Sequence, residues 1–186
     1  ILMALVTELF GWAHEIMLPV MARDVLGVGA SGLGYLIAGA SVGGLVSTII
    51  VSSVGDIKKK GRLMLAGLAG FGLFLMLFAV SPWFPLSVVL LAGAYASVTA
   101  YEIGLNTLIQ ILVPDEMRGR VLGFENMTFG MMGVSGFHTG AIAGLLGAPT
   151  AIVLGGGIVM LNTLRLARDC WGYRRRPMST LYGIHI

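Results

Sequence analysis

Ionisable side chains are scarce in this chain, and several stand inside long apolar runs. Glu8 and Glu15 lie seven residues apart in the first run, which at 3.6 residues per turn places them on nearly one helical face with Trp12 close by. Glu102, Asn106 and Gln110 recur every four residues in the fourth run, a polar stripe that must face protein or water rather than lipid. In the fifth run Glu125, Thr128, Met132, Ser135 and Thr139 fall within one helical sector. An ionisable group at a bilayer centre costs ~2.5–3.5 kcal/mol on insertion scales, so such groups are functional candidates by default. The pathway candidates for a solute or a proton are Glu8, Trp12, Glu15, Glu102, Asn106, Gln110 and Thr128. Their chemistry would be reversible protonation and hydrogen bonding, with burial favouring the neutral carboxyl. The competing structural reading of each carboxylate is a neutralised or paired group holding helices together. For Glu125, five residues beyond Arg120, that reading leads, through water or a pair with Arg118 or Arg120. His14 and His138 lie away from the acidic faces of their helices and read as packed, hydrogen-bonded histidines. No catalytic residue, metal site or cofactor is expected.

The elements that must position these residues are membrane spans. The chain is 56% hydrophobic and 11% charged with a mean hydropathy of +0.90, against roughly 25% charged residues in soluble domains. This composition predicts an all-α membrane protein, with six transmembrane helices at about residues 1–22, 31–54, 63–80, 85–113, 121–146 and 150–164. Together, residues 1–166 form one six-helix domain, followed by a basic tail over residues 167–186. At 29 residues the fourth span must tilt, bend or project from the bilayer. Glycine accounts for 28 of 186 residues and lies mostly inside the spans, where it lets helices approach closely. Gly39 with Gly43, and Gly136 with Gly140 and Gly144, make small-residue faces that read as packing surfaces.

Of 12 Lys and Arg residues, all but Arg23 fall on one side of this ladder: Lys58, Lys59, Lys60 and Arg62, then Arg118 and Arg120, then Arg165, Arg168, Arg174, Arg175 and Arg176. The positive-inside rule places that side, with both chain ends, in the cytoplasm of a cell membrane. The net charge of +3 is thereby explained by topology, with no nucleic-acid partner. One cysteine, Cys170, excludes a disulfide framework. The chain opens at Ile1 without a charged leader, so the expectation is that it begins inside a larger protein.

Two turns on the basic side carry more than charge. Gly55-Asp56-Ile57-Lys58-Lys59-Lys60-Gly61-Arg62 resembles the acidic-then-basic turn between the second and third helices of each half of major facilitator superfamily transporters, with Ser52 or Ser53 near the position where the family has Gly. Val113-Pro114-Asp115-Glu116-Met117-Arg118-Gly119-Arg120-Val121-Leu122-Gly123 is similar to the signature before the penultimate helix of bacterial exporters of that superfamily, in the branch of the enterobactin exporter and macrolide efflux proteins, the transmembrane secretion effectors. The resemblance implies the C-terminal six-helix half of a twelve-helix permease in a bacterial inner membrane. Its partners would be a small-molecule substrate, a proton gradient, the bilayer, and a missing N-terminal half or a second six-helix chain. The implied function is proton-driven efflux of a small hydrophobic molecule or siderophore; uptake of a small solute by the same fold is the alternative. Asp56, Arg62, Asp115, Arg118 and Arg120 are the candidate conformational latch, since facing acidic and basic helix ends can pair in one state and part in another.

Two other classes compete. Gly133-Val134-Ser135-Gly136 has the Gly-x-Ser-Gly form of rhomboid proteases, but the nearest histidine, His138, is three residues away on the same helix, where a serine-histidine pair needs a second helix. A membrane scaffold or a channel of assembled six-helix units would need neither of the two turns.

Overall fold

The computed structural model describes residues 5–53, 60–130 and 132–174, without the side chains of residues 13, 60, 125, 128, 129, 132 and 169–174. Among these residues there are helices and turns and no strand. The first span is irregular: a π-helical turn at Thr7–Gly11, then α1 (Ala13–Val20), then a second π-helical turn at Met21–Val25. Pro19 inside α1 has no amide to give to the carbonyl of Glu15 and crowds it, and the wider register begins two residues later. Gly27 and Gly29 then take φ of 65° and 64°, the left-handed backbone that reverses the chain into α2 (Gly29–Ser53).

After α2 come α3 (Lys60–Val80), α4 (Phe84–Leu112), α5 (Asp115–Phe129), α6 (Met132–Leu146) and α7 (Ala148–Arg174). The described residues thus hold seven α-helices where the sequence predicts six. The fifth apolar run divides into α5 and α6, with a turn at Gly130 whose amide donates to the Met127 carbonyl at 3.1 Å. The last helix continues to Arg174, past residue 164. Among the described residues four helices, Gly29–Ser53, Gly61–Val80, Phe84–Leu112 and Ala148–Arg168, are long and apolar enough to cross a membrane.

Packing tracks the small residues. Helix α4 lies between α2 and α3, and α3 lies between α4 and α7; the first span closes on α7, α6 and α2. Leu36, Ala40 and Gly43 of α2 are buried at helical spacing, while Tyr35, Val42, Leu45 and Ile49 stay exposed, as a lipid-facing surface requires. A Cβ added at Gly43 would stand 2.0 Å from the Ala92 carbonyl oxygen, and one at Gly72 would stand 2.7 Å from that of Gly156. Backbone meets backbone at both crossings. The other glycine series behaves differently: Gly136 would meet only the tip of Ile16, and Gly140 and Gly144 have open space beside them.

Candidate functional site

The residues that converge come from α1, α3 and α4. The Tyr95 hydroxyl on α4 donates to Glu15 Oε1 on α1 at 3.2 Å. Trp12, at the turn between the first π-helical segment and α1, stands edge-on to the Tyr95 ring at 6.1 Å between centroids and stacks on His14 at 5.8 Å. His14 in turn meets Tyr95 at 5.6 Å and Phe71 of α3 at 5.7 Å, both edge to face. It is 0% exposed, and its Nδ1 donates to the Gly11 carbonyl at 2.8 Å. That bond uses a carbonyl which the break after Gly11 leaves near the ring, so His14 is a packed, hydrogen-bonded residue. Gly11 is small of necessity, because a Cβ there would lie 2.8 Å from the Phe71 ring.

Beside this aromatic group is a cavity of about 230 Å³ between the first span, α2 and α4. Glu15 and Tyr95 form its polar end, with Ser41; Leu18, Pro19, Leu33 and Ile37 form apolar wall. Glu15 is half-buried, and among the described residues no basic side chain pairs with it.

The remaining candidates lie elsewhere. Glu8 is buried at 7% exposure in the first π-helical turn, which packs on α6 and α7, and it does not line this cavity. Glu102 is half-buried two turns along α4 from Tyr95; its backbone carbonyl accepts from Asn106 Nδ2 at 3.1 Å. Gln110 is exposed, and its backbone carbonyl accepts from Arg118 Nη2 at 2.9 Å. Arg118 also pairs with Asp115 at 2.7 Å, so it ties the first turn of α5 to the last turn of α4. Arg62 and Arg120 are exposed. Asp56, and the side chains of Thr128 and Glu125, lie outside the described residues.

The fold sets a carboxylate-lined cavity between apolar helices, with a basic turn bound to a helix end, and residues 1–170 match the family described as transmembrane secretion effectors. The chain belongs to that family. It is a membrane protein of the major facilitator superfamily, a transporter and not an enzyme. No curated protein and no solved structure matches it. The protease alternative also lacks geometry: His138 Nδ1 donates to the Val134 carbonyl at 3.0 Å, and Ser135 is fully buried with no hydrogen bond to its Oγ. A nucleophilic serine needs a base within hydrogen-bond reach.

The sequence reading missed Tyr95. Its signal was available, since Tyr95 precedes Glu102 by seven residues and so extends the α4 polar stripe by two turns. The cavity offers largely apolar wall and one carboxylate, with Tyr95 bonded to one of its oxygens.

Proposed function

We propose that this protein is one half of a proton-coupled exporter of a small hydrophobic molecule or siderophore, and that Glu15 with Tyr95 forms its coupling site. The carrying observation is the 3.2 Å bond between Tyr95 and a half-buried carboxylate that lines an otherwise largely apolar cavity. A proton entering from outside neutralises Glu15 and releases the group that its charge held; loss of the proton to the cytoplasm restores the charge. Alternation comes from rocking this half against a second six-helix half, as in related folds. The basic clusters support a topology with both ends in the cytoplasm, and the family supports a bacterial inner membrane. The bond from Arg118 to the end of α4, beside its pair with Asp115, supports a latch that is made in one state and broken in the other.

The test is solute movement in vesicles carrying the full-length protein. Wild type should export a hydrophobic solute in a manner driven by the pH gradient, and Glu15→Gln should abolish the dependence on that gradient. Glu102→Gln, two turns along α4, should reduce the rate less. If no hydrophobic drug or siderophore moves with the gradient, and neither variant changes anything, the exporter reading is wrong.

A further inference from the structure

Helix α7 has two faces. Ile152, Val159 and Thr163 are buried against the bundle, while Leu154, Leu161, Leu164, Arg165 and Arg168 are exposed within a sector of about 100° on the other side. The exposed face is leucine first and arginine last. Its apolar stretch, Ala148–Arg168, has 21 residues and at 1.5 Å each is about 32 Å long, close to the ~30 Å hydrocarbon core of a bilayer. Arg165 and Arg168 therefore stand at headgroup depth.

Helix α3 brings a third arginine to that level. It runs antiparallel to α7, because a Cβ at Gly72 would meet Met160 whereas one at Gly156 would meet Met76. Continued along both helices, this register sets Arg62 opposite residue 170, about 3 Å along the axis from Arg168 and about 8 Å from Arg165. All three side chains are exposed, and among the described residues none makes an ion pair. Arg23 and Arg118, by contrast, are paired with Asp24 and Asp115.

We infer that the basic end of α7 binds an anionic glycerophospholipid, its headgroup phosphate between Arg165 and Arg168 and an acyl chain along Leu164, Leu161 and Leu154. Arginines three apart are neighbours on a helix surface, and their planar donor forks match phosphate oxygens. Arg62 adds positive field from α3. A headgroup with net negative charge, such as phosphatidylglycerol, is favoured over a zwitterionic one whose ammonium these arginines repel. Topology alone would ask only for positive charge on this side of the membrane; it would not ask for two arginines in line with a leucine track. The inference is independent of what the protein transports and of Glu15.

The experiment is titration of the full-length protein in detergent with dioleoylphosphatidylglycerol or dioleoylphosphatidylcholine, with bound lipid read by native mass spectrometry. Saturable binding with clear preference for the anionic lipid is expected. The double variant Arg165→Gln, Arg168→Gln should weaken that binding roughly ten- to thirtyfold and remove the preference. Lysine at both positions keeps the charge and should retain part of the affinity. Arg175→Gln with Arg176→Gln removes equal charge from the tail and should change little. An unfolding midpoint at the wild-type value shows that each variant is folded. Excess inorganic phosphate should not displace the lipid, since it has no chain for the leucine face; displacement would mean a free-anion site and overturn the inference. Equal affinity for the two lipids would overturn it too, as a face covered by a second six-helix half would give. So would equal weakening in the tail variant, which would mean diffuse attraction without a site.

Discussion

Gly43→Ala should destabilise the bundle although alanine is the better helix former. The new Cβ would lie 2.0 Å from the Ala92 carbonyl oxygen and 2.7 and 2.8 Å from Ala92 C and Cα, where ordinary contact begins at 3.4 Å. All three atoms belong to the α4 backbone, so no side chain can swing aside. Relief requires α2 and α4 to part by about 1 Å, opening the tightly packed layer that holds Leu36, Ala40, Leu91 and Ala94. Overpacking of this kind costs about 1–3 kcal/mol, and the gain in helix propensity from Gly to Ala offsets at most ~1 kcal/mol of it. The expected net loss is on the order of 1–2 kcal/mol, measured as the unfolding midpoint of purified protein in detergent. Gly34→Ala is the control, because it sits on the same helix with open space around it and keeps only the propensity gain. A wild-type midpoint for Gly43→Ala would refute the close-packing argument. Equal loss in Gly34→Ala would show that glycine acts through backbone freedom rather than through the crossing.

Three further outcomes are expected. Tyr95→Phe removes the hydroxyl but keeps the ring between Trp12 and His14, so transport should slow roughly two- to tenfold with the unfolding midpoint nearly unchanged. Arg118→Ala removes an exposed pair with Asp115 and a bond to the Gln110 carbonyl; a surface pair contributes ~0–1 kcal/mol, so stability should hold while the transport rate changes if the turn is a latch. The hydrogen bond from Arg23 holds the Asp24 carboxyl below the usual carboxylate range. Its stabilising effect is therefore present above that range and lost as pH falls through the lowered value. Carboxyl NMR should show a depressed Asp24 midpoint that returns to normal in Arg23→Gln, and the full exposure of the pair predicts little change in stability across the same titration.

Much of this architecture is legible in the sequence because hydropathy and charge report directly on solvent. The run at residues 31–54 has no charge for a membrane to reject, and α2 occupies Gly29–Ser53. Pro114 with Asp115 suits a helix start, and α5 begins at Asp115. Hydropathy does not report backbone register. Gly130 is one glycine among many, and nothing in its neighbours distinguishes the turn between α5 and α6. Two glycine series of equal spacing also diverge, since Gly39 and Gly43 meet α4 at close range while Gly140 and Gly144 meet no side chain or neighbouring backbone. Small-residue spacing marks a face that permits contact; which helix arrives there is decided by the whole bundle.

The register of the first span has the largest consequence. In an unbroken α-helix, residues seven apart are about 20° from alignment, and Glu8 and Glu15 would share a face. A π-helical turn takes up an extra residue and rotates the residues beyond it by about 100° relative to that expectation. Such a turn occupies Thr7–Gly11, which holds Glu8 and ends before Glu15. Glu8 therefore sits in a segment packed on α6 and α7, while Glu15 turns to Tyr95 and the α2 cavity. The cavity consequently holds one carboxylate rather than two. A paired site would let one carboxyl share its proton with the other, and its charge would change in two coupled steps. A lone carboxylate exchanges a single charge in one step.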